Sequence, residues 1–175
     1  MSVFLQPIYT QTVGAGGASS ITFTNIPQTF TDLQINVSLR SNASSANYGI
    51  YMTVNNNGSS IYSYRDIRGD GNSVVSQSGS ATALVWSDTV NGTGTTSSTF
   101  SNGTIYIPNY ANSTTYKSAL LDNVFENNST NAGITIHAGL ISSTSAITTF
   151  SLQSQVGNFV QYSTVSVYGI LCQGV

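Results

Sequence analysis

The sequence predicts an all-β protein, a single antiparallel β-sandwich domain over residues 1–175. Apolar and polar residues alternate with a period of two, as expected of half-buried strands. Clusters of Ser, Thr, Asn and Gly separate these segments at the spacing of about 8–15 residues that is typical of sandwiches and barrels. Helical periodicity is almost absent. The long crossing loops favour a jelly roll over a simple meander.

Predicted strands follow one another along the whole chain. The clearest is 33–39, where Leu33, Ile35 and Val37 alternate with polar residues. Residues 1–15 form either an N-terminal arm or an edge strand. The other predicted strands are 21–25, 82–87, 103–107, 115–121, 133–141, 146–153 and 158–171.

In two segments the alternation alone does not settle the predicted structure. Residues 48–65 predict a hairpin, because Asn57 and Gly58 supply the positive φ that tight hairpin turns require. Residues 117–126 could begin a short helix, but Asn123 and Val124 favour a strand followed by a loop.

Charged residues are rare in this chain. They make up 6% of the sequence, against roughly 25% in an ordinary soluble domain. Ser, Thr and Asn outnumber them by more than six to one. Enzymes, metal sites and phosphate-binding sites draw on the residue types that are scarce here, so we expect no enzyme and no cofactor. With only four Lys and Arg residues, nucleic-acid binding is not expected either.

The sequence also limits processing and redox chemistry. Residues 1–7 lack the basic and apolar regions of a secretory signal, and no segment is long enough to span a bilayer. We therefore expect synthesis in a cytoplasm without processing or membrane insertion. Cys172 is the only cysteine, so no intramolecular disulfide can form.

His137 is the only histidine, and a catalytic triad would require it to meet a nucleophile and a carboxylate. It lies out of phase with Ile134 and Ile136, so we expect it on the solvent or interface face of a strand. No Gly-x-Ser-x-Gly motif is present, and no pair of carboxylates is placed across a groove by the pattern. A surface histidine is the favoured interpretation.

The densest charged run is Arg65, Asp66, Arg68 and Asp70. A calcium loop is disfavoured, because Arg68 occupies a position where a ligand oxygen is needed. Arg68-Gly69-Asp70 is also a literal adhesion tripeptide. The favoured interpretation is a structural, Gly-rich turn in which Asp70 caps local amides and the arginines pair with Asp66 or Asp70.

Tyrosines are the remaining candidates for binding. Tyr106, Tyr110 and Tyr116 lie in or after the predicted strand 103–107, where we expect some of them to face outward, and tyrosine rings provide large, stiff contact area in interfaces. The alternative is that they pack in the core.

Several segments resemble a family of small bacteriophage virion proteins. These are 16–33, 62–65 with 69–71, 105–110 (IYIPNY), 157–164 (GNFVQYST) and 168–170. Their order and approximate spacing also match, so the resemblance covers nearly the whole chain. It implies a structural role on the surface of a phage particle, for a chain made in the host cytoplasm, and no catalytic residues. The chain ends soon after the last shared segment, which favours a stand-alone subunit over a fibre fragment.

Two functions follow from the resemblance. The leading one is a capsid decoration, or cement, protein that forms a homotrimer or another homo-oligomer and stabilises the shell of the major capsid protein. The alternative is a receptor-binding module that contacts tail proteins and recognises a host-surface glycan through Tyr and Asn or Gln side chains. Neutral surfaces suit the first role, because salt screens ion pairs but not apolar contacts.

Overall fold

A computed structural model describes residues 3–45, 47–128 and 131–172. Within these ranges the regular structure is β-strand throughout, in two antiparallel sheets that pack together. The predicted β-sandwich is therefore confirmed. Residues 1 and 2 of the predicted N-terminal segment lie outside the described part.

Twelve strands are present in the described residues. They are β1 (Val3–Thr12), β2 (Ser20–Phe23), β3 (Asp32–Leu39), β4 (Asn47–Val54), β5 (Tyr62–Gly69), β6 (Val74–Ala81), β7 (Leu84–Asn91), β8 (Ser101–Pro108), β9 (Lys117–Val124), β10 (Ile134–Ile141), β11 (Phe150–Ser154) and β12 (Thr164–Cys172).

The two sheets differ in size. The larger has eight strands in the order β1-β12-β3-β8-β9-β10-β5-β6, and the smaller has four in the order β2-β11-β4-β7. β1 is an edge strand of the larger sheet. We call β9, β10, β5 and β6 the extension, because they continue the larger sheet beyond β8. The two packed sheets do not by themselves establish jelly-roll connectivity, which stays a prediction.

The core lies between the sheets and follows the period-two pattern. Leu33, Ile35, Val37 and Leu39 of β3 are all buried, as predicted. Trp86 of β7 is fully buried against the backbone of the larger sheet. A side chain at Gly103 would come within 2.7 Å of the Trp86 ring, so glycine is required for this close approach.

The predicted hairpin over residues 48–65 is wrong. β4 pairs with β7 and β11 in the smaller sheet, whereas β5 pairs with β6 and β10 in the larger one. A turn does follow β4, but its positive φ values are at Asn55 and Asn56 and not at Asn57 and Gly58 as predicted. The Tyr62 hydroxyl accepts a hydrogen bond from the Val54 amide and donates one to the Asn57 carbonyl. The chain crosses here from the smaller sheet to the larger one. Tyr62, the first residue of β5, is buried in the core between the two sheets and anchors this crossing.

Strand β6 (Val74–Ala81) was not predicted. It is rich in serine, and most of its side chains are exposed. A strand at the edge of the larger sheet with neither face buried has no alternating pattern to reveal it. Its pairing with β5 defines it instead.

Two buried cations hold long loops against the sandwich. The first is Lys117 on β9, whose side chain is only 1% exposed. Its ammonium donates hydrogen bonds to the carbonyls of Thr144 and Ser145 at 2.6 and 2.7 Å, and to those of Thr115 and Ser143 at 3.1 and 3.4 Å. Burial lowers the pKa of this ammonium. The β10–β11 loop is therefore bound to the start of β9 by carbonyl oxygens and not by a counter-charge.

Arg40, just after β3, is the second buried cation. One guanidinium nitrogen donates to the carbonyls of Thr96 and Thr99 at 2.9 and 2.7 Å, and to the hydroxyls of Thr95 and Thr99. Burial lowers the pKa of Arg40. These contacts bind the β7–β8 loop to the end of β3.

We predict that Lys117→Met lowers the free energy of unfolding by about 2 kcal/mol, since a hydrogen bond from a charged donor contributes about 1.5–3 kcal/mol. Urea denaturation followed by circular dichroism measures this change. Thr144→Ala is the matched control, because alanine keeps the backbone carbonyl that accepts the hydrogen bond from Lys117. The stability of this variant should stay within about 0.5 kcal/mol of the parent. Wild-type stability in Lys117→Met would show that the ammonium does not hold the loop.

Candidate functional site

The charged run 65–70 is not a turn, contrary to the prediction. Arg65, Asp66 and Arg68 lie on β5, and only Asp70 lies beyond its end. Their side chains alternate: Arg65 is exposed on the outer face, whereas Asp66 is buried on the inner face. Arg68 is half-buried, with its guanidinium 5.5 Å from the centre of the Phe125 ring. Arg65 and Asp66 therefore point away from each other.

Asp70 caps a tight turn, as expected. One carboxylate oxygen accepts hydrogen bonds from the amides of Ser73 and Asn72 at 2.7 and 2.9 Å, and the other accepts one from the Ser73 hydroxyl. These bonds, the Ser73 amide first, lower the pKa of Asp70, and the nearby charge of Arg68 lowers it slightly further. The carboxylate of the Arg68-Gly69-Asp70 tripeptide is thus engaged by its own turn.

His137 is fully buried, so the prediction of a surface histidine is wrong. Its Nδ1 lies 3.5 Å from a carboxylate oxygen of Asp66, and both side chains are 1% exposed. The two residues are direct neighbours across the β10–β5 pair. On β10 it is Thr135, His137 and Ile141 that face inward, so the phase of the strand is the reverse of the one expected.

The inner face of the extension is unusually polar around this pair. Asn123 on β9 and Thr135 on β10 are neighbours in register, and each is 2% exposed. Among the described residues, their side-chain polar atoms have no hydrogen-bond partner. Asn127 donates from its amide to Asn91 Oδ1 at 2.9 Å and to two carbonyls. We call Asp66, Asn123, Thr135 and His137 the polar cluster; they lie on the buried face of the extension, whose strands β5, β9 and β10 contact β7.

The outer face of the extension is apolar. Ile136 lies opposite Ile67 on β5, and Ile134 lies opposite Val124 on β9. Cross-strand pairs of this kind have Cβ atoms about 4.5–5.5 Å apart, so the side chains form a continuous surface. We define the outer apolar face as Ile67, Val74, Leu120, Val124, Ile134 and Ile136. Each of these six side chains is about half exposed or more.

Two charged residues lie on the same side of the sheet as the outer apolar face. Arg65 on β5 lies opposite Ala138, and Asp122 on β9 lies opposite Ile136. Both are exposed, they carry opposite signs, and they lie on either side of β10. The face is therefore electrically neutral as a unit.

The three tyrosines predicted for an interface occupy different environments. Tyr110 is fully buried and donates a hydrogen bond to the Pro27 carbonyl, and burial raises its pKa, so its assignment to an interface is wrong. Tyr106 is half-buried beside Leu120 on the outer face and donates to Asp32 at 2.7 Å. Tyr116 is exposed, just before β9.

A second surface feature lies on the smaller sheet. Tyr51 of β4 is 39% exposed, between Gln153 on β11 and Val85 on β7. Together with Thr53 and Thr82 these residues line a shallow groove of about 370 Å³. It combines a partly exposed aromatic ring with amide and hydroxyl groups.

Comparison of the chain with protein-family models, curated proteins and solved structures finds no match. The resemblance to phage virion proteins therefore stays a prediction. Within residues 3–45, 47–128 and 131–172, no helix is long and apolar enough to cross a membrane. In the same part of the chain, no three His, Cys, Asp or Glu side chains are grouped to hold a metal ion.

Sequence reasoning missed the outer apolar face. Its signal was the alternation of Ile134 and Ile136 with Thr135 and His137, which shows two faces but not which is covered. The expectation that apolar side chains point inward assigned the wrong face. The exposure of these isoleucines therefore indicates an interaction surface, since large apolar side chains are usually buried.

The Asp70 turn leads to a pH-dependent prediction. Hydrogen bonds to the ionised carboxylate hold the folded-state pKa of Asp70 below its ordinary value of 3.8, so the stabilisation is present above that pH and is lost as the pH falls through the folded-state pKa. Asp70→Ala should therefore be less stable than the parent near neutral pH. The difference should shrink at pH values below the folded-state pKa. Urea unfolding of both proteins across this range measures it, and a pH-independent difference would contradict the assignment.

Proposed function

We propose that this protein is a structural component of a bacteriophage particle, a decoration protein that binds the major capsid protein and stabilises the shell. The observation that carries the proposal is the outer apolar face on a sandwich whose surface bears very few charges. An exposed apolar patch of this extent marks an interaction site on a soluble protein.

The buried charges strengthen this argument. Asp32, Arg40, Asp66 and Lys117 are all buried, which leaves still fewer of the chain's ten charged residues at the surface. Association through such a surface depends on apolar burial and neutral hydrogen bonds. Contacts of this kind persist at ionic strengths that screen ion pairs, which suits a particle exposed to changing media.

The strand pairing supports a jelly roll as the topology of this sandwich. β1 pairs with β12, β2 with β11, β3 with β8, and β4 with β7. The chain is thus one long hairpin rolled into two four-stranded sheets, with β5–β6 and β9–β10 inserted as additions to the larger sheet. Jelly rolls form viral capsid and lectin domains. Because one fold hosts many functions, the proposal rests on the surface and not on the fold.

Phage particles that lack this protein test the proposal. Purified protein added to them should co-sediment with the capsids at 1 M NaCl as well as at about 0.15 M, and should restore resistance to heat and osmotic shock. Isolated tails are the control, since a tail-associated protein would bind there instead. Unchanged resistance in the deleted particle would count against a cement role.

The Tyr51 groove favours a second candidate function, glycan binding. A flat tyrosine ring can contact the apolar face of a sugar while Gln153 and the threonines hydrogen-bond its hydroxyls. Binding to an array of bacterial surface polysaccharide fragments should be at least about tenfold weaker in Tyr51→Ala, as for other anchor residues. Tyr116→Ala, an exposed tyrosine elsewhere, should bind like the parent. Absence of any binding by the parent would exclude this candidate.

A further inference from the structure

We infer that the outer apolar face binds a second copy of this chain, so that the protein forms a twofold dimer by stacking the extensions of two larger sheets. This inference rests on the proposed function, in which the protein acts on the shell as a homo-oligomer. It assigns the outer apolar face to the contact between copies, so the capsid protein would contact the rest of the sparsely charged surface. Three observations carry it: the inverted phase of the extension, the area of the face, and the placement of its two charges.

The phase of the extension is inverted relative to an ordinary sandwich. Sheets of a sandwich place apolar side chains inward and polar side chains outward. On β10 the reverse holds, since Thr135 and His137 are buried whereas Ile134 and Ile136 are 52% and 48% exposed. The outer side of β10 is therefore apolar, like the inner face of a sheet in a sandwich. A second sheet with the same character covers such a surface most completely.

The area is sufficient for a stable dimer. A twofold axis along β10 would overlap five neighbouring strands, the four of the extension and β8, with eight residues each. The outer apolar face occupies the middle of this area, and the serines of β6 and Asn102 and Thr104 of β8 form a polar rim. With strands about 4.8 Å apart and a rise of about 3.4 Å per residue, the five strands span roughly 24 by 27 Å, or about 650 Å². Stable interfaces bury about 800 Å² of accessible surface per partner, and a surface corrugated by side chains exceeds its flat area. The two values are comparable.

The charges are placed for self-complementarity. A twofold axis along β10 puts β5 of one copy over β9 of the other. Arg65 then faces Asp122 of the second copy, and the reverse pair forms by symmetry. The two residues are offset by two positions along β10, since Arg65 is in register with Ala138 and Asp122 with Ile136. This offset is about 7 Å, which the long arginine side chain can span.

A charge-swap experiment tests this interface on the full chain by sedimentation equilibrium. The parent should be a dimer at micromolar concentrations. Ile136→Lys should weaken association at least about 100-fold, because it places a charge at the centre of the apolar contact. Arg65→Asp should also weaken association, since it sets like charges against each other, and Arg65→Asp with Asp122→Arg should restore it. The restored dimer would exclude misfolding as the cause.

Val156→Lys is the matched control, because Val156 is 45% exposed in a loop outside the face. It should leave association unchanged. A monomeric parent, or association that survives both Ile136→Lys and Arg65→Asp, would overturn the inference. Binding to particles that lack the protein separates the two proposals. A monomeric parent that still binds capsids overturns only the dimer, whereas a dimer that binds no capsid overturns the decoration role.

Discussion

Successive side chains of a β-strand point to opposite faces, and this constraint links the interior of the protein to its outer surface. Once β7 covers the extension, Thr135 and His137 are on the covered side, and Ile134 and Ile136 must face outward. The polar cluster inside and the apolar face outside are therefore one feature. A change of register by a single residue would exchange them.

The polar interior reduces the apolar area that the extension buries inside the sandwich. The His137–Asp66 pair and the neighbouring Asn123 and Thr135 contribute little apolar burial to the extension. Covering the outer apolar face with another sheet would supply apolar burial on the other side. In the proposed dimer, the stability of the extension would therefore depend on association.

Charge in this chain is used mainly for local structure. Lys117 and Arg40 are buried among loop carbonyls and threonine hydroxyls, and Asp70 binds the amides of its own turn. Backbone oxygens take the place of counter-ions, which removes the need for acidic partners on these loops. The surface is left nearly neutral, consistent with association by apolar contact and not by electrostatic steering.

The fold class and most of the strands can be predicted from the sequence, because alternation in segments such as 33–39 is a local property of the chain. So can the cap at Asp70, which depends on neighbouring residues only. Tertiary structure decided which strands pair, since the turn after β4 can close a hairpin or cross between sheets with the same residues. It decided which face of β10 is buried, because a period of two defines two faces without saying which one another sheet will cover. It alone revealed the loop contacts of Lys117, since they join residues far apart in the chain.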